Sequence, residues 1–276
     1  MIGRLYIFFL LSTGICFSLA ADEKANQWQK LEEGLYLVVF NAPQKSEIGD
    51  SRITILKINP HFYNIDIYCA SQYGKKLSSA AEWGKKFKLT ATINAGMYAT
   101  DHCTAVGYLK SGSHLNNSRI NKTYNSIFAC TPLEEDIPPV QIIDRRCQDF
   151  SKWKNKYFSF LQSIRMISCQ QKNVWRQQPK KWSIAALAMD KSGNLLFIHC
   201  RSPYSVHDFI EMLLHLPLNI YNAMYLEGGP AASLYFFAGG KKKELIGSYE
   251  NSILLNDGNN AALQIPNVIG IQRKKK

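Results

Sequence analysis

Residues 183–200 read SIAALAMDKSGNLLFIHC, and this stretch decides the fold. Two apolar runs, Ser183 to Met189 and Leu195 to Cys200, flank the segment Asp190-Lys191-Ser192-Gly193-Asn194. Asp, Ser, Gly and Asn are turn-forming residues, so Asp190 is expected there for the sake of the turn alone. Apolar runs joined by a short turn of this kind are typical of a β-hairpin. The stretch therefore predicts two neighbouring antiparallel strands.

Similar patterns lie on both sides of the hairpin. Further strand-like runs occupy residues 34–40, 52–58, 63–69, 89–94 and 220–226. Two segments are helix-compatible: residues 77–86, where Ser78 or Ser79 can cap, and residues 205–216, where Ser205 can cap. We therefore expect an α+β fold, a single domain of twisted, mostly antiparallel sheet with packed helices.

The N-terminus has the composition of a secretory signal peptide. Arg4 precedes the apolar stretch Leu5 to Phe17, and Ser18-Leu19-Ala20 offers a small-residue cleavage site. The apolar stretch is shorter than the roughly 20 residues that a membrane-spanning helix needs, although an uncleaved anchor remains the alternative. We predict a signal peptide at residues 1–21 and one domain at residues 22–276. The mature protein would be exported, periplasmic or secreted, without stable membrane insertion.

The cysteines fit an exported protein. Six remain after residue 21, an even number that is consistent with disulfides, although some could be buried thiols: Cys69, Cys103, Cys130, Cys147, Cys169 and Cys200. Their wide spacing contains no CxxC pair, which argues against a zinc site. No metal and no cofactor is predicted.

Charge and composition limit the classes of binding partner. The chain has 276 residues, 46% of them hydrophobic and 12% aromatic, which argues against a disordered chain. Its net charge of +12, carried largely in short lysine and arginine runs, favours anionic partners such as phosphorylated glycans, lipid head groups or nucleic acid. No nucleic-acid motif accompanies the charge, so we do not predict nucleic-acid binding.

Three strand-like runs end on a polar side chain: Asn94, Arg201 and Glu227. Amide, guanidinium and carboxylate groups can bind hydroxyls, bind anionic oxygens and carry protons, respectively. Asn94 could instead support its turn, and Arg201 could be an ordinary ion-paired arginine. Glu227 ends a very apolar run just before Gly228-Gly229-Pro230, where a carboxylate is costly unless it is paired or functional. It is the strongest candidate for chemistry.

Four segments carry a resemblance to a known family. Thr92–Tyr98 (TINAGMY), Leu161–Ile167 (LQSIRMI), Ala185–Leu196 and Tyr225–Ser233 (YLEGGPAAS) follow one another in the order of the motifs of the phosphodiester glycosidase family. The chain resembles that family, and most closely a bacterial branch of it. It departs from the family pattern in having Glu227 in place of an aspartate, Pro230 in place of a third glycine, and Ile164 and Trp182 where proline and arginine are usual.

The resemblance implies an exported glycosidase-like hydrolase that cleaves a sugar-1-phosphodiester, a phosphorylated carbohydrate. Glu227 would be the catalytic carboxylate, with Asn94 and Arg201 also at the catalytic centre. The implied substrate-binding residues are Arg165, Gly96, Gly228, Gly229, Ser202 and His207. In this hypothesis Arg165 and Arg201 clamp the phosphate.

Two other classes of function stay open on the sequence. A non-catalytic envelope or secreted protein that binds acidic or phosphorylated glycans would use the same basic surface and polar strand ends. A secreted structural or host-interaction domain would need neither an open site nor a free carboxylate. The oligomeric state is left open.

Overall fold

The computed structural model describes residues 26–250 and 256–275. The predicted signal peptide at residues 1–21 lies outside the described residues.

The largest sheet contains the quoted hairpin. Its seven antiparallel strands lie in this order: β1 (Gln29–Glu32), β2 (Leu35–Asn41), β3 (Arg52–Ile58), β13 (Leu195–Tyr204), β12 (Trp182–Asp190), β14 (Ile220–Gly228) and β11 (Arg165–Ile167). The hairpin prediction is confirmed as β12 and β13. Asp190 forms the turn, since its side chain accepts the N–H groups of Ser192 and Asn194. We call this seven-stranded sheet the large sheet.

Two five-stranded sheets complete the framework. The β10 sheet has the order β7 (His114–Asn117), β6 (Leu109–Ser111), β10 (Tyr157–Ser163), β8 (Ser126–Pro132) and β9 (Val140–Asp144). The β5 sheet has the order β16 (Lys241–Ile246), β15 (Ser233–Ala238), β5 (Ala91–Asn94), β17 (Asn267–Arg273) and β4 (Tyr63–Cys69). All pairs in both sheets are antiparallel.

The main core lies where the three sheets meet. Leu187 and Phe197 of the large sheet share one buried cluster with Ile93 of the β5 sheet and with Phe128 and Leu161 of the β10 sheet. These side chains are almost completely inaccessible to water. Burial of this much apolar surface provides the principal driving force for folding.

Two α-helices occur in the described residues, both at predicted positions. Helix α1 (Ala80–Phe87) is capped by Ser79 in a capping box with Glu82. Helix α2 (Val206–His215) is capped by Ser205, whose hydroxyl accepts the Asp208 N–H. Helix α2 covers the face of the large sheet that points away from the main core, and it buries Phe209 and Ile210 there. No helix in residues 26–250 and 256–275 has the length and hydrophobicity required to cross a bilayer.

The prediction of an α+β fold is wrong. The described residues form seventeen strands in three antiparallel sheets and only two α-helices, of eight and ten residues, so the fold is mostly β. The error has a physical cause. Strands β6 and β7, with three and four residues, are too short to show an alternation of apolar and polar positions. The irregular apolar segment at 149–163 holds a single helical turn and then β10.

Candidate functional site

Glu227 lies at the end of β14, behind a β-bulge. Tyr225 pairs with Ala186 of β12, but Glu227 pairs with the next residue, Ala185, so that Leu226 is an extra residue on β14. A bulge interrupts the regular alternation of side chains and often redirects one beside a functional site. The large sheet therefore places Glu227 at the end of β14, where the bulge interrupts the regular alternation of side chains.

The two glycines after Glu227 are required by close contacts. A side chain at Gly228 would collide with the Trp182 indole and the Tyr225 hydroxyl. Gly229 has a φ of +57° and a side chain there would collide with Glu250 Oε2. The Gly228 N–H donates to Glu227 Oε1 at 3.0 Å. The strand breaks into glycines because two carboxylates and two aromatic side chains converge on this backbone.

The Glu227 carboxyl group is poised to exchange a proton near neutral pH. Burial raises its pKa to about 7, and the negative charge of Glu250 acts in the same direction, while the Gly228 N–H opposes the change. Burial also raises the pKa of Glu250. Both residues keep part of their surface exposed. A partly buried pair of carboxyl groups can hold one proton between them at a pH at which isolated glutamates would both be ionised.

Three tyrosines interact electrostatically with the carboxyl group of Glu227. Burial is the main cause that raises the pKa values of Tyr98, Tyr124 and Tyr225, and the charge of Glu227 adds to each. All three therefore remain neutral phenols that can donate hydrogen bonds. We call Glu227, Gly228, Gly229 and Glu250, together with these tyrosines and Trp182, the Glu227 site.

Asn94 is almost completely buried. At the end of β5, its Oδ1 accepts the Ser233 N–H at 3.0 Å. Its Nδ2 is buried and has no hydrogen-bond partner among the described residues. Asn94 thus ties β5 to the chain that follows Gly229. Gly96 has a φ of +72° and allows the chain to turn towards Tyr98.

Arg165 is held by a buried ion pair. Its Nη1 lies 2.8 Å from Asp144 Oδ1, and Asp144 is almost fully buried. Asp144 also accepts the N–H of Cys169, which forms a disulfide with Cys147. The predicted presence of a disulfide is confirmed, whereas the other four described cysteines are free thiols. Arg165 pairs with Met224 of β14, so this assembly supports the strand that carries Glu227.

Arg201 contacts residues that precede and follow Glu250 in the sequence. Its guanidinium contacts Asp257 Oδ1 at 2.5 Å and donates to the carbonyl oxygens of Ile246 and Asn259. These partners flank Glu250 on both sides in sequence. Arg201 also lines a cavity of about 390 Å³ together with His199. Burial lowers the pKa of His199 to about 4. From the sequence, Arg201 could have been either a phosphate ligand or an ion-paired arginine, and in the structure it is ion-paired with Asp257.

Ser202 and His207 make other contacts. The Ser202 hydroxyl accepts the Ser51 N–H at 2.7 Å, and Gly49 packs against it. His207, in the first turn of α2, lies 3.5 Å from Asp208, and its carbonyl accepts the Asn173 side chain. Within the described residues, no hydrogen bond or ion pair joins either of them to Glu227. The fold thus brings Glu227, Gly228 and Gly229 together, whereas the contacts of Asn94, Arg165, Ser202 and His207 are with other residues.

One group of metal-ligand atoms is found in the described residues, and it does not fit a metal. Asp144, Cys147 and Cys169 lie within 4.8 Å of one another, but the two sulfur atoms form a disulfide and the carboxylate faces Arg165. A cavity of about 970 Å³ lies beside β4 and the ends of β8 and β9, and none of the predicted site residues lines it.

Sequence reasoning missed Glu250, Tyr98 and Tyr124. Tyr98 ends the quoted TINAGMY segment, so the motif itself contained that signal. Glu250 and Tyr124 stand in stretches without a distinctive pattern, and only the fold brings them to Glu227.

Comparisons with known proteins agree with this architecture. A family profile described as phosphodiester glycosidase matches residues 87–272. No curated protein sequence matches the chain. Among solved structures, the catalytic domain of zebrafish N-acetylglucosamine-1-phosphodiester alpha-N-acetylglucosaminidase, auto-inhibited by its pro-peptide, matches with a TM-score of 0.59 at 15% identity, over 90% of this chain and 87% of that one.

Two bacterial structures share the fold. A hypothetical protein from Synechocystis matches with a TM-score of 0.57 at 13% identity, over 88% of this chain and 62% of that one. A protein of Burkholderia pseudomallei, described as exported, matches with a TM-score of 0.51 at 8% identity, over 80% of this chain and 73% of that one.

Proposed function

The chain belongs to the phosphodiester glycosidase family, and from that membership we propose that it hydrolyses the bond between a sugar's anomeric carbon and a phosphodiester oxygen. The observation that carries the proposal is the Glu227 carboxyl group, held at a glycine-lined strand end with a pKa of about 7. General acids and bases work best when their pKa lies near the working pH.

The leaving group suits this site. Cleavage passes through an oxocarbenium-like transition state, which a nearby carboxylate stabilises. The departing phosphate monoester has a second pKa of about 6, so it leaves without a strong general acid. A site with carboxyl groups and neutral phenols is therefore sufficient for the bond cleavage, and Glu227 is free to activate water.

The substrate class follows from the family and from the structural neighbour. The zebrafish enzyme is named for N-acetylglucosamine-1-phosphodiesters, and we propose a sugar-1-phosphodiester here, with N-acetylglucosamine as the first sugar to test. Tyr98, Tyr124 and Trp182 are partly exposed and provide flat apolar surface and hydroxyl groups, a combination that suits the amphipathic faces of a sugar ring.

The two arginines have a positioning role in this proposal. Each guanidinium is already paired with an aspartate, Arg165 with Asp144 and Arg201 with Asp257. Arg165 would keep β11 against β14, and Arg201 would keep the segment around Glu250 in place. Asn94 would fix the chain between Gly229 and Ser233.

We also propose that the protein works outside the cytoplasm. The N-terminal sequence has the pattern of a signal peptide, and the Cys147–Cys169 disulfide is of the kind that persists in oxidising compartments.

The test is direct turnover by the wild-type protein. N-acetylglucosamine 1-(methyl phosphate) should yield free N-acetylglucosamine and methyl phosphate, whereas methyl N-acetylglucosaminide, whose methoxide is a poor leaving group, should react far more slowly. Saturable binding of sugar-1-phosphodiesters without any product release would favour the alternative of a non-catalytic glycan-binding protein. Absence of turnover across N-acetylglucosamine, glucose and mannose diesters would overturn the proposal.

A further inference from the structure

Glu227 is accompanied by a second carboxylate, Glu250. It belongs to the segment after β16, far from Glu227 in sequence. An isolated bridge pairs Glu250 with Trp182 of β12, and the Ser183 N–H donates to the carbonyl of Tyr249 at 3.0 Å. The Ser248 N–H donates to the Ser183 hydroxyl at 2.9 Å. Glu250 is therefore fixed against the start of β12, directly beside the strand that carries Glu227.

The two carboxylates are anchored on neighbouring peptide units. Glu227 Oε1 accepts the Gly228 N–H, and Glu250 Oε2 occupies the space where a side chain of Gly229 would lie. Consecutive Cα atoms are about 3.8 Å apart. Glycosidases that form a covalent intermediate hold their two carboxyl groups about 5–5.5 Å apart, and those that do not hold them about 6.5–9.5 Å apart. Both carboxyl groups lie against the same two-residue stretch of backbone and their charges interact, and this proximity is what a mechanism with two carboxyl groups requires.

From this geometry we propose that Glu250 is a further catalytic residue, the nucleophile that bonds to the anomeric carbon, while Glu227 serves as the general base. The inference rests on the proposed function. In the first step a Glu250 oxygen bonds to C1 as the C1–O bond breaks, and the electron pair leaves with the phosphate monoester. In the second, Glu227 takes a proton from water, whose oxygen bonds to C1 as the ester to Glu250 breaks.

The division of roles follows from the surroundings of each group. A nucleophile must be ionised throughout, whereas a base must gain and lose a proton. Glu227 accepts an N–H bond, interacts electrostatically with three tyrosines and carries the raised pKa of about 7. The last step leaves Glu227 protonated, and it returns the proton to solvent. Glu250 is deprotonated in this scheme, and its charge adds to burial, which is the main cause of the raised pKa of Glu227.

The experiment compares Glu227→Gln, Glu250→Gln and a control, Glu135→Gln, on N-acetylglucosamine 1-(methyl phosphate). Glu135 is an exposed glutamate outside the site. In Glu227→Gln the first step should proceed and the second stall. We expect a burst of one equivalent of methyl phosphate, a protein mass increased by one sugar residue, and the label on Glu250 in peptide mapping. Glu250→Gln should give neither burst nor label, and the control should turn over as the wild type does.

A second measurement needs no variant. Proton NMR of the wild-type reaction should show that the sugar is first released with the anomeric configuration of the substrate. Inversion of configuration, a label on a residue other than Glu250, or no label in a folded Glu227→Gln protein would overturn the inference while leaving wild-type turnover, and thus the proposed function, intact. Lack of turnover by the wild type would overturn both.

Discussion

At the scale of single residues, the chemistry of the site depends on where carboxyl groups are buried. An acid at the end of an apolar run followed by two glycines is unusual enough for the sequence alone to single out Glu227. Its partner Glu250 was not predictable, because their proximity depends on a bulge in β14 and on the bridge between Glu250 and Trp182. The same limit applied to the arginines, whose aspartate partners lie 21 and 56 residues away.

The raised pKa of Glu227 predicts that this residue destabilises the fold at high pH. Its pKa is about 7 in the folded protein and ordinarily 4.5. Between these values the unfolded chain loses the proton first, so the free energy of unfolding should fall as pH rises through this window. Glu227→Gln should therefore be more stable than the wild type at pH 8 by about 1–3 kcal/mol, and similar to it near pH 4.5.

Urea unfolding at both pH values measures this difference. Glu250 and the tyrosines that interact with Glu227 remain in the variant, so the comparison isolates one carboxyl group. The exposed control Glu135→Gln should keep the wild-type pH dependence. If the free energy of unfolding had the same pH dependence in Glu227→Gln and in the wild type, the raised pKa of Glu227 would be contradicted.

At the scale of elements, the local signals were reliable. The hairpin of β12 and β13 and both helices, with their serine caps, were predictable because turn chemistry and capping act within a few residues. Strands such as β6 and β7 were not, since three or four residues that owe their conformation to a neighbouring strand carry little pattern of their own.

The segment around Glu250 provides an element-scale prediction. Arg201 binds Ile246, Asp257 and Asn259, so Arg201→Ala should loosen this segment and displace Glu250. Because the guanidinium is already paired, we expect kcat to fall about tenfold to a hundredfold on diester substrates and on activated aryl glycosides alike. Asp257→Ala should give the same pattern. A loss confined to phosphate-bearing substrates would instead identify Arg201 as the phosphate clamp that the sequence had suggested.

At the scale of the whole molecule, three antiparallel sheets share one core and leave the Glu227 site at the end of β14. Fold class was the least predictable property. It depends on how many short strands without a clear sequence pattern pair with one another, and not on the few segments with a clear helical pattern. The basic character was evident from composition, and a net charge of +12 should increase the encounter rate with anionic phosphodiesters at low ionic strength. The charge does not by itself specify the substrate, which only the site can do.

The most direct test of the central claim is the steady-state rate of Glu227→Gln on N-acetylglucosamine 1-(methyl phosphate), beside the wild type and Glu135→Gln. Glutamine keeps the shape of the side chain but can neither ionise nor accept a proton. We predict that kcat falls by about a hundredfold to ten-thousandfold, with the fold intact by circular dichroism and the control unaffected. An unchanged kcat in the folded Glu227→Gln protein would contradict the account.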